Sequence, residues 1–297
     1  MPEGPEITLL SQYLSTKLKG RTFEKIVVFD NKYKSISLDT TYDITSVDSK
    51  GKLLWIILKN DTTIKYFTSH LGLTGEWSFS KSKNDKLRII IGNKTNDKKY
   101  NLCYQDHRGF GKIEIISDIT KRTSALADDA LKTEFDDSDF VNMVGSFLKV
   151  SKKRQHQNIF KVLMKQTKKD GIVSGLGNYL TPEILYHCKI SPFREIGSLN
   201  EKELKTLGYS IRYVIKLSYY NNTTGYMTNF GDFVKVHKER VDNGIYPEYH
   251  EAIKFEKNDK FEFKVYRQKK DPLGNPVDAD KSINKTRTVY WVPNVQL

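Results

Sequence analysis

The sequence predicts an α+β protein: a leading helix, an antiparallel β-sandwich or barrel, a helical region and a closing pair of strands. Three observations predict it. Ile7, Leu10, Leu14 and Leu18 recur at the three-to-four spacing of an amphipathic helix. Short β-rich runs separated by turn residues follow as far as Ile116. From Phe140 onward the apolar period becomes helical again.

The first helix ends at Lys19-Gly20, where glycine readily takes the left-handed conformation. The runs Phe23–Phe29, Leu53–Leu58, Thr63–Phe67, Leu87–Ile91, Asn101–Tyr104 and Lys112–Ile116 are short and rich in β-branched and aromatic residues. Turn-prone Asn60-Asp61 and Asn93–Lys98 separate them. Asp128-Asp129 and Asp136-Asp137 bracket a polar stretch read as an inter-domain connection. Helices are expected over Phe140–Val150, Ile159–Gln166 and Tyr179–His187, and from Glu201 to about Tyr220. Tyr226–Ala252 is weakly patterned and reads as a mobile loop. Phe261–Arg267 and Thr286–Val292 read as two strands joined by the turn-prone Asp271–Lys281. The expected domains are 1–130, 138–254 and 255–297, with no internal repeat.

Of 297 residues, 49 are lysine or arginine and 36 are acidic, a formal charge of +13. That excess suits a polyanionic partner, because neutralised phosphates release counterions. Cys103 and Cys188 are the only cysteines, too few for a disulfide framework or a four-thiolate metal site. With no apolar run of spanning length and no leader pattern, the chain is expected to be soluble, intracellular and not membrane-bound.

Behind Met1 stands Pro2-Glu3-Gly4-Pro5-Glu6. Without Met1, Pro2 would be a secondary amine able to attack an aldehyde-like carbon and form an iminium. An α-amino group titrates near about pH 8, so free base exists at neutral pH. Glu3 is placed to move protons. Proline with acidic neighbours is also ordinary helix-start chemistry. Lys52, after Gly51, can aim its charge into a cleft or simply be a solvated edge lysine. Leu73, in His70-Leu71-Gly72-Leu73-Thr74-Gly75, can wedge into a duplex or tuck into the core.

Asp106-His107-Arg108-Gly109-Phe110-Gly111 is a second glycine-flanked loop. If it is extended, Arg108 and Phe110 share a face and suit an orphaned base and its stacked neighbours. A cation–π pair within the protein is the alternative. Gly175-Leu176-Gly177-Asn178 precedes a helix whose N-terminal amides can meet a phosphate. Asn178 can cap that helix, bind phosphate or do both. Arg287 can grip a phosphate bidentately, or be one more basic residue on a basic hairpin.

Taken in order, these segments resemble the formamidopyrimidine-DNA glycosylase/endonuclease VIII family, from Pro2 through Gln296. The N-terminal Pro-Glu-Gly-Pro-Glu is the most specific part. Gly175–Tyr186 is similar to the family's helix–two-turns–helix element. The resemblance is strongest to the zinc-less, eukaryotic-type endonuclease VIII-like branch, also known from large DNA viruses. Val292-Pro293-Asn294-Val295 and Asp271–Pro276 stand where zinc-binding members carry Cys-x2-Cys pairs, so a zinc-less finger hairpin is expected.

The resemblance implies that Pro2 is the Schiff-base nucleophile, Glu3 the proton donor and Glu6 its support. It implies Lys52 in β-elimination and Arg287 in phosphate binding and δ-elimination. It places His70 and Asn178 at phosphate contacts, and Leu73, Arg108 and Phe110 on the void-filling trio. Leu73 stands where methionine is common. Gly109 replaces an arginine common before the phenylalanine, which puts one backbone contact in doubt.

The expected activity is a bifunctional DNA glycosylase/AP lyase of base excision repair, removing oxidised pyrimidines, ring-opened purines and hydantoins. It is expected to need no metal or cofactor and to act as a monomer, in the nucleus or a viral or cytoplasmic factory. Its expected partner is duplex DNA with a damaged base or abasic site, or single-stranded or bubble DNA. The rivals are an 8-oxoguanine-preferring enzyme and a non-catalytic damaged-DNA-binding module.

Overall fold

The computed structural model describes residues 2–221, 233–256, 258–283 and 286–297. Residues 226–232 of the expected loop at Tyr226–Ala252 therefore lie outside the described residues. Two compact units emerge. One is built mainly of Glu6–Ser124, with Pro2; the other of Glu3–Pro5, residues 125–221 and Lys238–Leu297.

The first unit starts with α1 (Gly4–Leu18), whose Ile7, Leu10, Leu14 and Leu18 are all buried. Eight antiparallel strands follow: β1 (Thr22–Val28), β2 (Tyr42–Lys50), β3 (Leu53–Lys59), β4 (Ile64–His70), β5 (Gly75–Ser78), β6 (Asp85–Asn93), β7 (Asn96–Asp106) and β8 (Lys112–Ile116). They form one sheet in the order β5-β7-β6-β1-β2-β3-β4-β8. The joint between its halves is slight, because β1 and β2 pair only at Thr22↔Asp43 and Phe23↔Tyr42. The sheet therefore curls. Trp77 on β5 packs 5.8 Å from Phe67 on β4, and its indole N–H donates to Ser69 at 3.0 Å. Alternate residues Leu87, Ile89 and Ile91 of β6 point into this core, each with no exposed surface. Two strands escape the sequence reading. β2 buries Ile44 and Val47 across a register shift between Ile44 and Ser46 that breaks its alternation, and β5 is hidden inside a glycine-flanked turn motif.

After β8 the chain runs into the short α2 (Thr120–Ala125). The second unit opens with β9 (Asp128–Asp129), and then come α3 (Asp137–Lys149), α4 (Ile159–Leu163), β10 (Val173–Ser174), α5 (Leu180–His187) and α6 (Glu201–Asn221). The stretch expected as a polar connection is structured. β9 pairs in parallel with β10, Ala130 and Leu131 are fully buried, and Asp136 closes a capping box on α3 with Asp139. Its carboxylates serve as caps and turn acceptors, which a reading of polarity mistakes for a linker. Leu204, Leu207, Ile211 and Ile215 bury one stripe of α6. Gly208 lets α3 approach, since a Cβ there would meet Phe140 at 2.8 Å.

Further on, α7 (Phe233–Asp242) occupies part of the expected loop. The closing hairpin pairs β11 (Asp278–Asp280) with β12 (Val289–Trp291). Phe261–Arg267 is not its first strand. The amides of Lys264, Val265 and Tyr266 all donate to the buried Glu183 carboxylate at 2.8–3.0 Å, so they are not free to pair with a strand. The first turn of α5 accommodates Pro182 because amides there have no intrahelical acceptor to lose. No described helix is long and apolar enough to cross a membrane.

Candidate active site and nucleic-acid interface

Glu3 has no exposed surface. Its carboxylate accepts the N–H groups of Tyr179 at 2.9 Å and Leu180 at 3.3 Å, where α5 begins. The Gly4 N–H donates to the Gly175 carbonyl at 2.8 Å. A Cβ on Gly4 would stand 3.1 Å from Gly175 Cα, so glycine lets the two backbones meet. Glu3 and Gly4 of the N-terminal motif and the Gly-x-Gly-Asn motif, remote in sequence, thus form one structure.

That structure corrects two sequence expectations. The amides expected to be free for a phosphate are partly taken by Glu3. Asn178 does not cap α5, whose N-cap residue is Tyr179 and which receives no side-chain cap from it. Asn178 Oδ1 is instead buried, with no hydrogen-bond partner among the described residues.

Within the first unit, Pro2 is half-buried and Glu6 is buried in the first turn of α1, where a carboxylate complements the helix dipole. Gly51-Lys52 is the two-residue turn between β2 and β3, closed by the Lys50↔Leu53 pair. Gly51 has φ +55°, as a tight hairpin turn requires. Lys52 is half-buried. His70 ends β4 opposite Lys112. Its pKa is lowered, by crowding from surrounding protein atoms and then by the Lys52 ammonium, while its surface stays open to solvent. His70 Nδ1 accepts the Gly72 N–H at 3.2 Å. The neutral ring therefore carries its proton on Nε2, a donor suited to phosphate.

The two glycine-flanked loops are locked together. Buried Asp106 accepts the Gly111 N–H and the Thr74 hydroxyl, each at 2.7 Å, and Thr74 Oγ1 accepts the Arg108 N–H at 3.0 Å. Gly72, at φ +64°, lies so close that a Cβ would sit 2.7 Å from the Phe110 carbonyl carbon. From outside, the Lys32 ammonium donates to the carbonyls of Gly109 at 2.5 Å and Gly111 at 2.6 Å. This frame presents Phe110 61% exposed, with Arg108 also in solvent, so the internal packing alternative is not realised. Leu71 takes the core position, and Leu73 stays half-buried. The segment is a turn through Gly109 (φ +67°), so the extended form that would put Arg108 and Phe110 on one face by alternation is not adopted.

Arg287, in the second unit, is half-buried just ahead of β12. The turn before β11 is organised by Asp271, which accepts the amides of Leu273 and Asn275 and the Tyr186 hydroxyl. Val289 and Val292 are buried, and Trp291 packs edge-on against Phe193 at 4.9 Å. Among the described residues no group of three or more His, Cys, Asp or Glu is arranged to hold a metal. Thr74 and Asp106 were visible only as motif neighbours. Lys32 carries no sequence signal, because its partners lie far along the chain.

Three family models match the chain. Residues 1–113 match the formamidopyrimidine-DNA glycosylase N-terminal domain, 126–228 the formamidopyrimidine-DNA glycosylase H2TH domain, and 252–297 the C-terminal domain of the same enzyme. The formamidopyrimidine-DNA glycosylase of Lactobacillus acidophilus is 30% identical over 233 residues, covering 73% of this chain and 77% of that protein. The fold is similar to MutM (Fpg) of Thermus thermophilus, with TM-score 0.71, 19% identity and coverage of 99% of this chain and 98% of the other. Lactococcus lactis Fpg, solved with DNA containing an oxidised pyrimidine, has TM-score 0.71 at 19% identity and covers 99% of each chain.

Proposed function

Because the chain belongs to the formamidopyrimidine-DNA glycosylase family, and is thereby a DNA glycosylase of base excision repair with AP lyase activity, we propose that its chemistry runs through the Pro2 amine on DNA carrying oxidised bases. The observation that carries the reading is the anchored N-terminal motif. Glu3 is pinned by the amides of Tyr179 and Leu180, and Gly4 by Gly175, so the motif directly after Pro2 is held in one conformation. Such preorganisation is what a covalent catalyst at a chain end needs.

In the proposed sequence, with Met1 removed, the damaged nucleotide is extruded, which costs less for a poorly stacked base. Phe110, Arg108 and Leu73 fill the vacancy. Glu3, supported by Glu6, supplies a proton as the base departs. The Pro2 nitrogen bonds to C1′ while the bond from C1′ to the base breaks. Opening of the sugar gives an iminium, which acidifies the C2′ proton. Loss of that proton expels the 3′ phosphate, and a second elimination expels the 5′ phosphate. Lys52 assists the first elimination and Arg287 the second, with His70 and Asn178 holding phosphates.

The lesion class is oxidised pyrimidines, ring-opened purines and hydantoins. The family relative from Lactococcus lactis, solved on an oxidised-pyrimidine DNA, supports including pyrimidines. We assign the chain to the zinc-less branch, because the Asp271 turn and the packing of Val289, Val292 and Trp291 hold the hairpin by hydrogen bonds and apolar contacts. Regions 1–130, 138–254 and 255–297 are read as catalytic, helix–two-turns–helix and finger domains of a monomer acting wherever its DNA resides.

The test is borohydride reduction during reaction with a lesion-bearing duplex. A covalent adduct at Pro2 is expected from protein whose intact mass lacks methionine. Turnover without any trapped adduct would sink the mechanism.

A further inference from the structure

Beyond that reading, we propose a second nucleic-acid contact in the first unit: a cleft that takes one nucleotide of a single strand. The cleft, about 250 Å³, is lined by Tyr13, Lys17, Leu18, Arg21, Phe79 and Tyr100. It lies at the C-terminal end of α1. At about 1.5 Å per residue, Lys17 is roughly 17 Å along the helix from Glu6.

Its chemistry is two-sided. Tyr13 and Phe79 meet edge to face at 6.0 Å, and the fully buried Leu18 packs beneath them. The Arg21 guanidinium lies 4.4 Å over the Tyr100 ring, and the Lys17 ammonium 5.9 Å over the Tyr13 ring. Arg21 Nε donates to the Lys17 carbonyl at 2.6 Å, which fixes the side chain, while Nη1 is buried with no acceptor among the described residues. Neither Lys17 nor Arg21 forms a salt bridge with a carboxylate among the described residues.

One ligand class answers both halves. A planar base stacks on aromatic faces whatever its sequence, and a phosphate takes charge-assisted hydrogen bonds from the two cations. Inorganic phosphate would leave the rings uncovered, and an apolar peptide would leave the guanidinium unanswered. Tyr100 is 37% exposed, so its ring stands at the mouth where a base can reach it. We assign the base to the rings of Tyr13, Phe79 and Tyr100, and its phosphate to Lys17 and Arg21.

The test uses the full chain and a ten-nucleotide oligothymidylate carrying one 5-iodouracil. After irradiation, cross-links are mapped by mass spectrometry in the presence of excess short blunt duplex bearing an abasic-site analogue. Cross-linking to Tyr13, Phe79 or Tyr100 that survives the duplex is expected. Tyr100→Leu and Arg21→Lys should each weaken oligonucleotide binding about 5- to 10-fold, although the second keeps the charge. Cross-links found only elsewhere, or displaced by the duplex, overturn the proposal, as does a loss below two-fold in both variants. Binding by free thymidine monophosphate as tight as by the oligonucleotide also overturns it, because the site would then serve a free nucleotide. Affinity for the abasic duplex, measured in parallel, reports separately on the glycosylase reading.

Discussion

Two buried glutamates show how a single carboxylate can organise a site, and they do it differently. Glu3 accepts two amides at the start of α5 and stands next to Pro2. If it only caps the helix, Glu3→Gln should cost about 1 kcal/mol, the usual value of a cap. If it also gives a proton to the departing base, excision should fall at least about 100-fold. Nicking of a preformed abasic site should survive, because no base remains to be protonated. Urea denaturation and the two cleavage assays separate these outcomes. A variant that excises bases at wild-type rate removes Glu3 from the chemistry. Glu183 accepts three amides, yet its burial dominates and pushes its pKa up to about 7 from an ordinary 4.5. The folded protein therefore holds a proton that the unfolded chain has released between those values. Stability from this group is complete below about pH 4.5 and is lost as pH rises towards 7, by roughly 2–3 kcal/mol. Glu183→Gln sets an NH₂ against the Lys264 amide, a cost of about 1–3 kcal/mol. Its stability deficit should be larger at pH 5 than at pH 7.5, and a deficit that grows with pH would contradict the raised value.

Among the elements, the paired loops after β4 and β7 depend most on residues outside themselves. Lys32 donates to the carbonyls of Gly109 and Gly111, and Asp106 and Thr74 bind the loops from within. Replacing Lys32 with methionine removes two charge-assisted hydrogen bonds but leaves Phe110 and Arg108 in place. Under the proposed void-filling role, excision from an intact duplex should drop about 10-fold, since positioning errors near 1 Å cost up to about 100-fold. Nicking of an abasic site should change less than about two-fold, and Lys32→Arg should restore much of the loss. Equal losses on both substrates would mean the loops serve binding in general. This clamp also marks the limit of what could be read in advance. The helix from Ile7 to Leu18 and the strand Lys112–Ile116 declared themselves through local periodicity, and Pro2, Glu3, Arg108 and Phe110 through short motifs. Lys32 and Glu183 act on partners tens of residues away, as Asp271 does on Tyr186, and periodicity cannot register such links. The misread strand at Phe261–Arg267 has that cause. Its composition is that of a strand, but a carboxylate from α5 holds three of its amides. Asp128-Asp129 and Asp136 misled in the opposite sense, being polar for capping and pairing.

At the scale of the whole molecule, the charge of +13 is the dominant fact about how the protein meets DNA. Binding that neutralises phosphates must weaken with salt, by about 0.9 in the logarithmic slope for each phosphate engaged on duplex DNA. The proposal singles out Arg287 as one that grips a defined phosphate. Arg287→Ala should therefore lower the salt slope by about 0.9, and weaken damaged and undamaged duplexes alike. Phe110→Ala removes exposed apolar surface but no charge. It should leave the slope untouched and weaken the lesion duplex more than the intact one, because only an extruded base leaves a void to fill. Binding titrations of wild type and both variants, from about 50 to 200 mM salt on both duplexes, give the six slopes to compare. A slope unchanged in Arg287→Ala would remove that arginine from the phosphate contacts. A slope altered in Phe110→Ala would show that its loop acts by placing charge, with Arg108 and not the ring as the group that matters.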